Sequence, residues 1–397
     1  MKASPQNIFL IVWLFPVLAP YIVDSDVILH TSFTTKFILL FNILFFYYLA
    51  LMFRQLWPSG GESYVVKSLQ NLNFDKFEKR TKLALYAWLF IYIVNIIGSG
   101  GIPVVWIIMG DTRTYTDFGL PTLGGLGNLL RAFSLVSCYV LYVHSKLNKL
   151  KKRQYLWFGF GLLFSAFILE TGRGNGIVLL LHPIGMHLLT VRLGIASIFK
   201  WLLVAVLVFF GTGVIQMYRY VDGAVWMEKY AESSGMGQYT GAALFFVPAI
   251  TYFAVPIVNT DLNIVKAPWI DFSPNFTLQG LIPSVIRNQL FESGNYGELV
   301  NEAHNVSSFY IPLVRDFGIF GAVFFVSVFQ FISYYVYANA MKGNLHYIFI
   351  WPPLFMCDAL SFFSLYYTSL VVILYPTLAS LILNGCKKNC SKNDNNE

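Results

Sequence analysis

The amino-acid sequence predicts an all-α, polytopic membrane protein, and three observations carry that prediction. Of 397 residues, 56% are hydrophobic and only 12% charged, against roughly 25% charged in an average soluble domain. Apolar stretches recur along the whole length, each near the 20 or so residues that cross a bilayer core of about 30 Å. The basic residues cluster in alternate connections, as the positive-inside rule requires of a multi-pass chain. Residues 1–397 therefore read as a single membrane domain of about ten helices, within a range of about ten to twelve.

Each span is bounded by polar or basic residues. Lys2 precedes an apolar run from Ile8 to Pro20 with no small-x-small cleavage site after it, so the run reads as the first span, 8–23, and not as a signal peptide. Further spans follow at 33–53, 83–102, 124–144, 155–170, 176–191 and 200–218. Beyond Arg219 the pattern becomes mixed, with one apolar stretch from Ala242 to Val258. Spans resume at 310–338, 345–361 and 363–384, and a polar tail occupies 385–397.

Lys and Arg set the orientation. Eighteen of the 27 basic residues fall in one set of alternate connections, with clusters at Lys76, Lys79, Arg80 and Lys82, at Lys149, Lys151, Lys152 and Arg153, and at Lys387 and Lys388 in the tail. That set is cytoplasmic, as are both termini, and residues 219–309 form one large loop on the opposite face. Parity then treats 242–258 as a re-entrant or interfacial segment, because a full crossing would carry the Lys342 loop and the basic tail outside. An ordinary eleventh span is the competing reading.

The outer face prefers arginine. Six of its nine basic residues are Arg, namely Arg113, Arg131, Arg173, Arg219, Arg287 and Arg315, against four of eighteen on the cytoplasmic side. Arg grips phosphate or carboxylate with a planar fork and is never neutralised, so a pyrophosphate ligand on that face would account for the bias. Arg173 lies in the turn Thr171-Gly-Arg-Gly-Asn-Gly176, whose glycines permit close backbone approach at a helix N-terminus. The structural alternatives are a snorkelling Arg131, an Arg173–Glu170 pair, and an Arg315 that meets Asp316 or headgroups. No metal-binding cluster or cofactor motif is visible. The four cysteines lie in spans or in the tail, so no disulfide is expected, and the charge of +7 is explained by topology without a nucleic-acid partner.

The loop ends with Glu302, His304 and Asn305 before an aromatic segment, and Asp316-Phe-Gly318-Ile-Phe-Gly321 follows within the next span. Earlier, Gly101-Ile-Pro103 is followed by Tyr115, Phe118-Gly119 and Pro121. These features resemble the O-antigen polymerases of the Wzy type, which join lipid-linked oligosaccharide repeat units. The resemblance covers about residues 83–321 and implies a polytopic fold similar to the C-type glycosyltransferases, in a bacterial inner membrane. It also implies a transfer on the periplasmic face, where a glycan leaves undecaprenyl pyrophosphate for a hydroxyl of the next lipid-linked unit. In O-antigen ligases a His-Asn pair stands closer to a Gly-x-x-Gly than it does in this chain.

On that resemblance, donor and acceptor are undecaprenyl-pyrophosphate-linked glycans, and a chain-length regulator and a flippase are candidate partners beside membrane lipids. Arg173, Arg219 and Arg287, with Arg113 and Asn305, are candidates to bind pyrophosphate or glycan. A general base for the acceptor hydroxyl is His304 or, two residues earlier, Glu302. Asp316 reads as a cap or ion-pair partner, and Gly318 and Gly321 as sites of close helix packing. An O-antigen ligase or a lipid-linked oligosaccharide flippase are the alternatives. A flippase would favour two related halves, and no internal repeat is found.

Overall fold

Caps and turns set where the apolar stretches begin and end as helices. The structure, a computed structural model, describes residues 4–28, 31–56, 60–150, 154–191, 210, 211, 214, 217, 222–291, 297–301 and 306–386, without the side chains of Arg173 and Asn288. Among these residues the secondary structure is α-helix with short 3-10 and π turns and no β-strand.

The first half contains α1 (Pro5–Ile22), α2 (Phe33–Leu56), α3 (Glu62–Gln70), α4 (Phe74–Ser99), α5 (Pro103–Ile108), α6 (Leu123–Leu147), α7 (Gln154–Phe164) and α8 (Arg173–Thr190). The second contains α9 (Gly223–Ser233), α10 (Val247–Lys266), α11 (Ser284–Leu290), α12 (Tyr310–Met341), α13 (Leu345–Ala359) and α14 (Leu370–Leu383). Among the described residues six helical runs are long and apolar enough to cross a membrane: Pro5–Ile22, Phe33–Leu56, Phe74–Ile108, Leu123–Leu147, Gly241–Lys266 and Tyr310–Met341. Shorter apolar helices lie at Gln154–Leu169, Gly174–Thr190 and Leu370–Leu383. The span expected at 200–218 lies almost wholly outside the described residues.

Several boundaries differ from the hydropathy reading for identifiable reasons. Helix α4 begins at Phe74, well before 83, because the Asn73 side chain caps it by accepting from the Lys76 amide at 3.2 Å. It ends where Gly100 turns left-handed at φ 67°. The last apolar helix begins at Leu370, where a span is expected from 363, because the preceding turn is tied back: the Ser361 hydroxyl accepts from Trp13 Nε1 at 3.0 Å and its carbonyl accepts from the Phe309 amide at 2.9 Å. The apolar stretch 242–258, expected to be re-entrant, lies within a helical run of 26 residues, Gly241–Lys266, long enough to cross. Hydropathy falls after Val258, yet Asn259, Thr260, Asp261 and Asn263 continue the helix.

The helices group into two compact units that interleave along the chain. Unit 1 comprises Met1–Trp57, Arg192–Tyr335 and Leu354–Leu370. In it α1 packs on α2 and α10, with Phe9, Trp13, Phe309 and Tyr310 buried together. Unit 2 comprises Pro58–Val191, Val336–Pro353 and Val371–Glu397. Its centre is α6, which is 67% buried and packs against α4, α7 and α8. Phe133 of α6 meets Phe349 and Tyr375 there. Lipid tails are as apolar as these side chains, so van der Waals fit and polar tethers hold such helices together more than the hydrophobic effect does. One tether is Arg80, whose Nη1 donates to the carbonyls of Leu381 and Ile382 at 3.1 and 2.7 Å, satisfying groups that the end of α14 leaves without helical partners.

The Asp-Phe-Gly segment also has a structural role, inside α12 and not at its start. Asp316 is fully buried, and its carboxylate accepts from the backbone amides of Asn275, Phe276 and Thr277 at 3.2, 3.0 and 2.5 Å. Its hydrogen-bond partners are amides of the loop, and the neighbouring Arg315 lies 3.7 Å from the Phe276 ring centroid. Gly318 breaks the helix at φ 69°, and a Cβ there would stand 2.8 Å from the Pro268 carbonyl oxygen. The break frees the amides of Ile319 and Phe320 to donate to Pro268 and Trp269 at 3.1 and 3.0 Å.

Candidate functional site

Within unit 2, three helices and two connections enclose a recess of about 450 Å³ of empty space, counting the part open to solvent. Helix α4 contributes Trp88, Tyr92 and Asn95, spaced so that all three share one helical face. Helix α6 contributes Gly124, Gly127, Asn128 and Arg131. The two glycines leave the wall low, and a Cβ at Gly127 would already stand 3.2 Å from the Ile91 side chain of α4. The connection after α5 supplies Tyr115, Phe118 and Gly119, while Glu170 and Asn175 come from either side of the turn into α8.

Local bonds hold these pieces in place. Asn95 Oδ1 accepts from the Leu120 amide at 2.9 Å, and Ser99 Oγ accepts from the Gly119 amide at 2.8 Å, so the connection is tied to the end of α4. The π turn Ser165–Leu169 ends with the Glu170 amide donating to the Ser165 carbonyl at 2.9 Å. Thr171 then adopts φ 51°, unusual for a β-branched residue, before α8 begins. Gly176 is required for packing: a Cβ there would fall 2.5 Å from the Phe167 ring, whereas Gly174 has nothing within 4 Å.

The floor of the recess carries a buried ion pair, Arg131 with Glu170, exposed by 4% and 5% respectively. Trp88 and Tyr92 flank the guanidinium, each ring centroid 5.6 Å away, in the face-on arrangement that attracts cations to aromatic rings. Among the described residues the Arg131 Nε and the Tyr92 hydroxyl, both buried, have no hydrogen-bond partner. Glu170 pairs with a residue 39 positions earlier; the alternative of an Arg173–Glu170 pair falls on a side chain outside the described residues.

A second arrangement, in unit 1, frames the stretch that carries the proposed base. The buried Asn259 carboxamide of α10 accepts from the Val300 amide at 2.8 Å and donates to the Val306 carbonyl at 2.7 Å. One turn on, Asn263 accepts from the Glu298 amide at 3.1 Å and donates to its carbonyl at 2.9 Å. Two side chains on one helical face therefore hold the chain on both sides of 302–305. Neither was singled out from sequence, although polar residues at i and i+4 at the end of an apolar helix are a signal for such a role.

The expected site residues are placed as follows. Glu302, His304, Asn305 and Arg219 lie outside the described residues, as does the Arg173 side chain, although the Arg173 backbone opens α8. Arg287 stands in α11 in unit 1, partly exposed. Arg113, in unit 2, is committed to its own loop: Nε and Nη2 donate to Asp111 Oδ2 at 2.9 and 2.6 Å, Nη1 donates to the Ser99 carbonyl at 2.8 Å, and the group lies 4.4 Å from the Trp106 ring. That bonding holds the Asp111 carboxyl below its ordinary range. No cluster of three His, Cys, Asp or Glu side chains able to hold a metal occurs among the described residues. The chain matches no protein-family model, no curated protein and no solved structure.

Proposed function

We propose that the protein is a multi-pass membrane glycosyltransferase that polymerises undecaprenyl-pyrophosphate-linked repeat units into an O-antigen or related surface polysaccharide on the periplasmic face of a bacterial inner membrane. One observation supports this reading most. The two segments that sequence placed on the outer face, the connection around 113–121 and the turn at 171–176, line or adjoin one recess in unit 2 although they are far apart in the chain. The lysine-rich ends of α4 and α6, near Lys76 and Lys146, point the other way along those helices, which under the positive-inside rule supports a recess that opens to the periplasm.

In this reading the chemistry needs three things: a charge clamp for the departing pyrophosphate, a base for the acceptor hydroxyl and a site that orients the sugars. Arg173, in unit 2, or Arg219 and Arg287, in unit 1, are the candidates for the clamp. His304, or Glu302 beside it, is the proposed base, and Asn259 and Asn263 brace the stretch around it. Arg113 acts as a staple of its loop, and the recess orients a sugar.

Deleting the gene and separating the surface polysaccharide by size tests the proposal. The expected result is carriers capped with a single repeat unit. Undelivered polymer would indicate a ligase, units trapped in the cytoplasmic leaflet a flippase, and an unchanged ladder would reject all three. Restoring the gene with His304→Ala or Arg173→Ala then tests the assigned roles, and full-length polymer from either variant removes that residue from the mechanism.

A further inference from the structure

The recess has the chemistry of a sugar site more than that of an anion site. Among the described lining residues the only ionic groups are Arg131 and Glu170, and they neutralise each other in a buried pair. The rest are aromatic rings, carboxamides and glycines. Trp88 and Tyr92 stack with centroids 5.3 Å apart and Phe118 meets Tyr92 edge-on at 5.8 Å; Tyr92 is buried beneath them, and the partly exposed Trp88 and Phe118 offer apolar surface to the C–H face of a pyranose. Asn128 and Asn175 each carry a donor and an acceptor, which suits hydroxyls that act as both.

We propose that this recess binds one neutral pyranose ring of the lipid-linked glycan. The proposal rests on the glycosyltransferase reading for its source of ligand, but not for its chemistry. The rings of Trp88 and Phe118 receive the sugar face, and Asn128 with Asn175 takes its hydroxyls. The Arg131–Glu170 pair serves as a neutral floor: an anion would compete with Glu170 for the guanidinium and leave a buried carboxylate uncompensated.

Saturation-transfer NMR on the full chain in lipid nanodiscs tests this, with the methyl glycosides of glucose, galactose and N-acetylglucosamine as probes and inorganic pyrophosphate as competitor. The expected result is transfer to at least one glycoside, unaffected by pyrophosphate and about fivefold weaker in Asn128→Ala, the factor for one lost hydrogen bond. Thermal melting of Asn128→Ala should match the parent, and Gly124→Leu, which fills the recess from a position with nothing within 4 Å, should abolish transfer. Displacement of the glycoside by pyrophosphate, no transfer from any glycoside, or full transfer in Gly124→Leu would each overturn the proposal. Glycoside binding together with an unchanged ladder in the deletion strain keeps the sugar site and rejects the polymerase. A lost ladder without glycoside binding does the reverse.

Discussion

Replacing Asp316 with Asn separates a structural role from a catalytic one in the segment that most prompted the polymerase resemblance. The parent carboxylate is buried and takes three backbone amides, two on Oδ1 and one on Oδ2. In Asp316→Asn the carboxamide oxygen can keep the amides of Asn275 and Phe276, but an NH2 group then faces the Thr277 amide, donor against donor. The loss is one charge-assisted bond and a buried amide left unsatisfied, about 2–4 kcal/mol in all. Asp316→Ala loses all three and should cost more, about 3–5 kcal/mol. At a few degrees per kcal/mol, the Asn variant should melt roughly 5–10 °C below the parent in detergent, followed by size-exclusion chromatography of heated samples. In cells it should yield less polymer, in proportion to the folded protein present, with chains of normal length distribution. A variant that melts like the parent would refute the capping argument, and one that melts like the parent yet makes no polymer would make Asp316 a participant in the reaction.

Three further outcomes follow from the same geometry. Arg131→Met or Glu170→Met alone should destabilise by about 3–5 kcal/mol because each leaves a buried charge unpaired, while the double variant should recover most of that loss; additive losses in a thermal double-mutant cycle would contradict the pairing. Gly176→Ala should lower the melting temperature, its Cβ falling 2.5 Å from the Phe167 ring, and Gly174→Ala should leave it unchanged or raised; the reverse order would refute the packing described at the turn. Cys138, Cys357 and Cys386 are free and buried, and burial also pushes the Cys386 thiol up, so all three should resist maleimide at neutral pH in the folded protein and react after denaturation in SDS, as read by mass.

Much of the helical framework was legible because lipid imposes a simple rule. Runs such as 33–53 and 124–144 had to be helices, and the observed Phe33–Leu56 and Leu123–Leu147 differ from them only at the ends. What hydropathy missed was carried by polar residues. It stopped at Val258, where Asn259 and Asn263 continue the helix in order to hold a loop, and it started at 83, where Asn73 caps a helix already under way. The kink at Gly318 was read as a packing glycine because a single glycine in an apolar run does not reveal a left-handed φ.

The recess was only half legible. Its loops were flagged by their glycines and aromatics, and Arg131 by being charged at membrane depth. The Arg131–Glu170 pair was not, because Glu170 has Arg173 three residues away and only the π turn after α7 directs it to α6. A usable signal was present: Trp88, Tyr92 and Asn95 recur at helical spacing, as do Gly124, Gly127 and Arg131, so two helices each carry one face unsuited to lipid. Polar and small residues in register on neighbouring spans mark a cavity more directly than either loop does.

The proposed activity is the extension of a lipid-linked glycan. Its most direct test is reconstitution of the purified protein in proteoliposomes with undecaprenyl-pyrophosphate-linked repeat units from the same cell, with products separated by size over time. The account expects a ladder of lipid-linked multiples and release of one undecaprenyl pyrophosphate per bond formed. Units that stay single while the protein remains folded would contradict it.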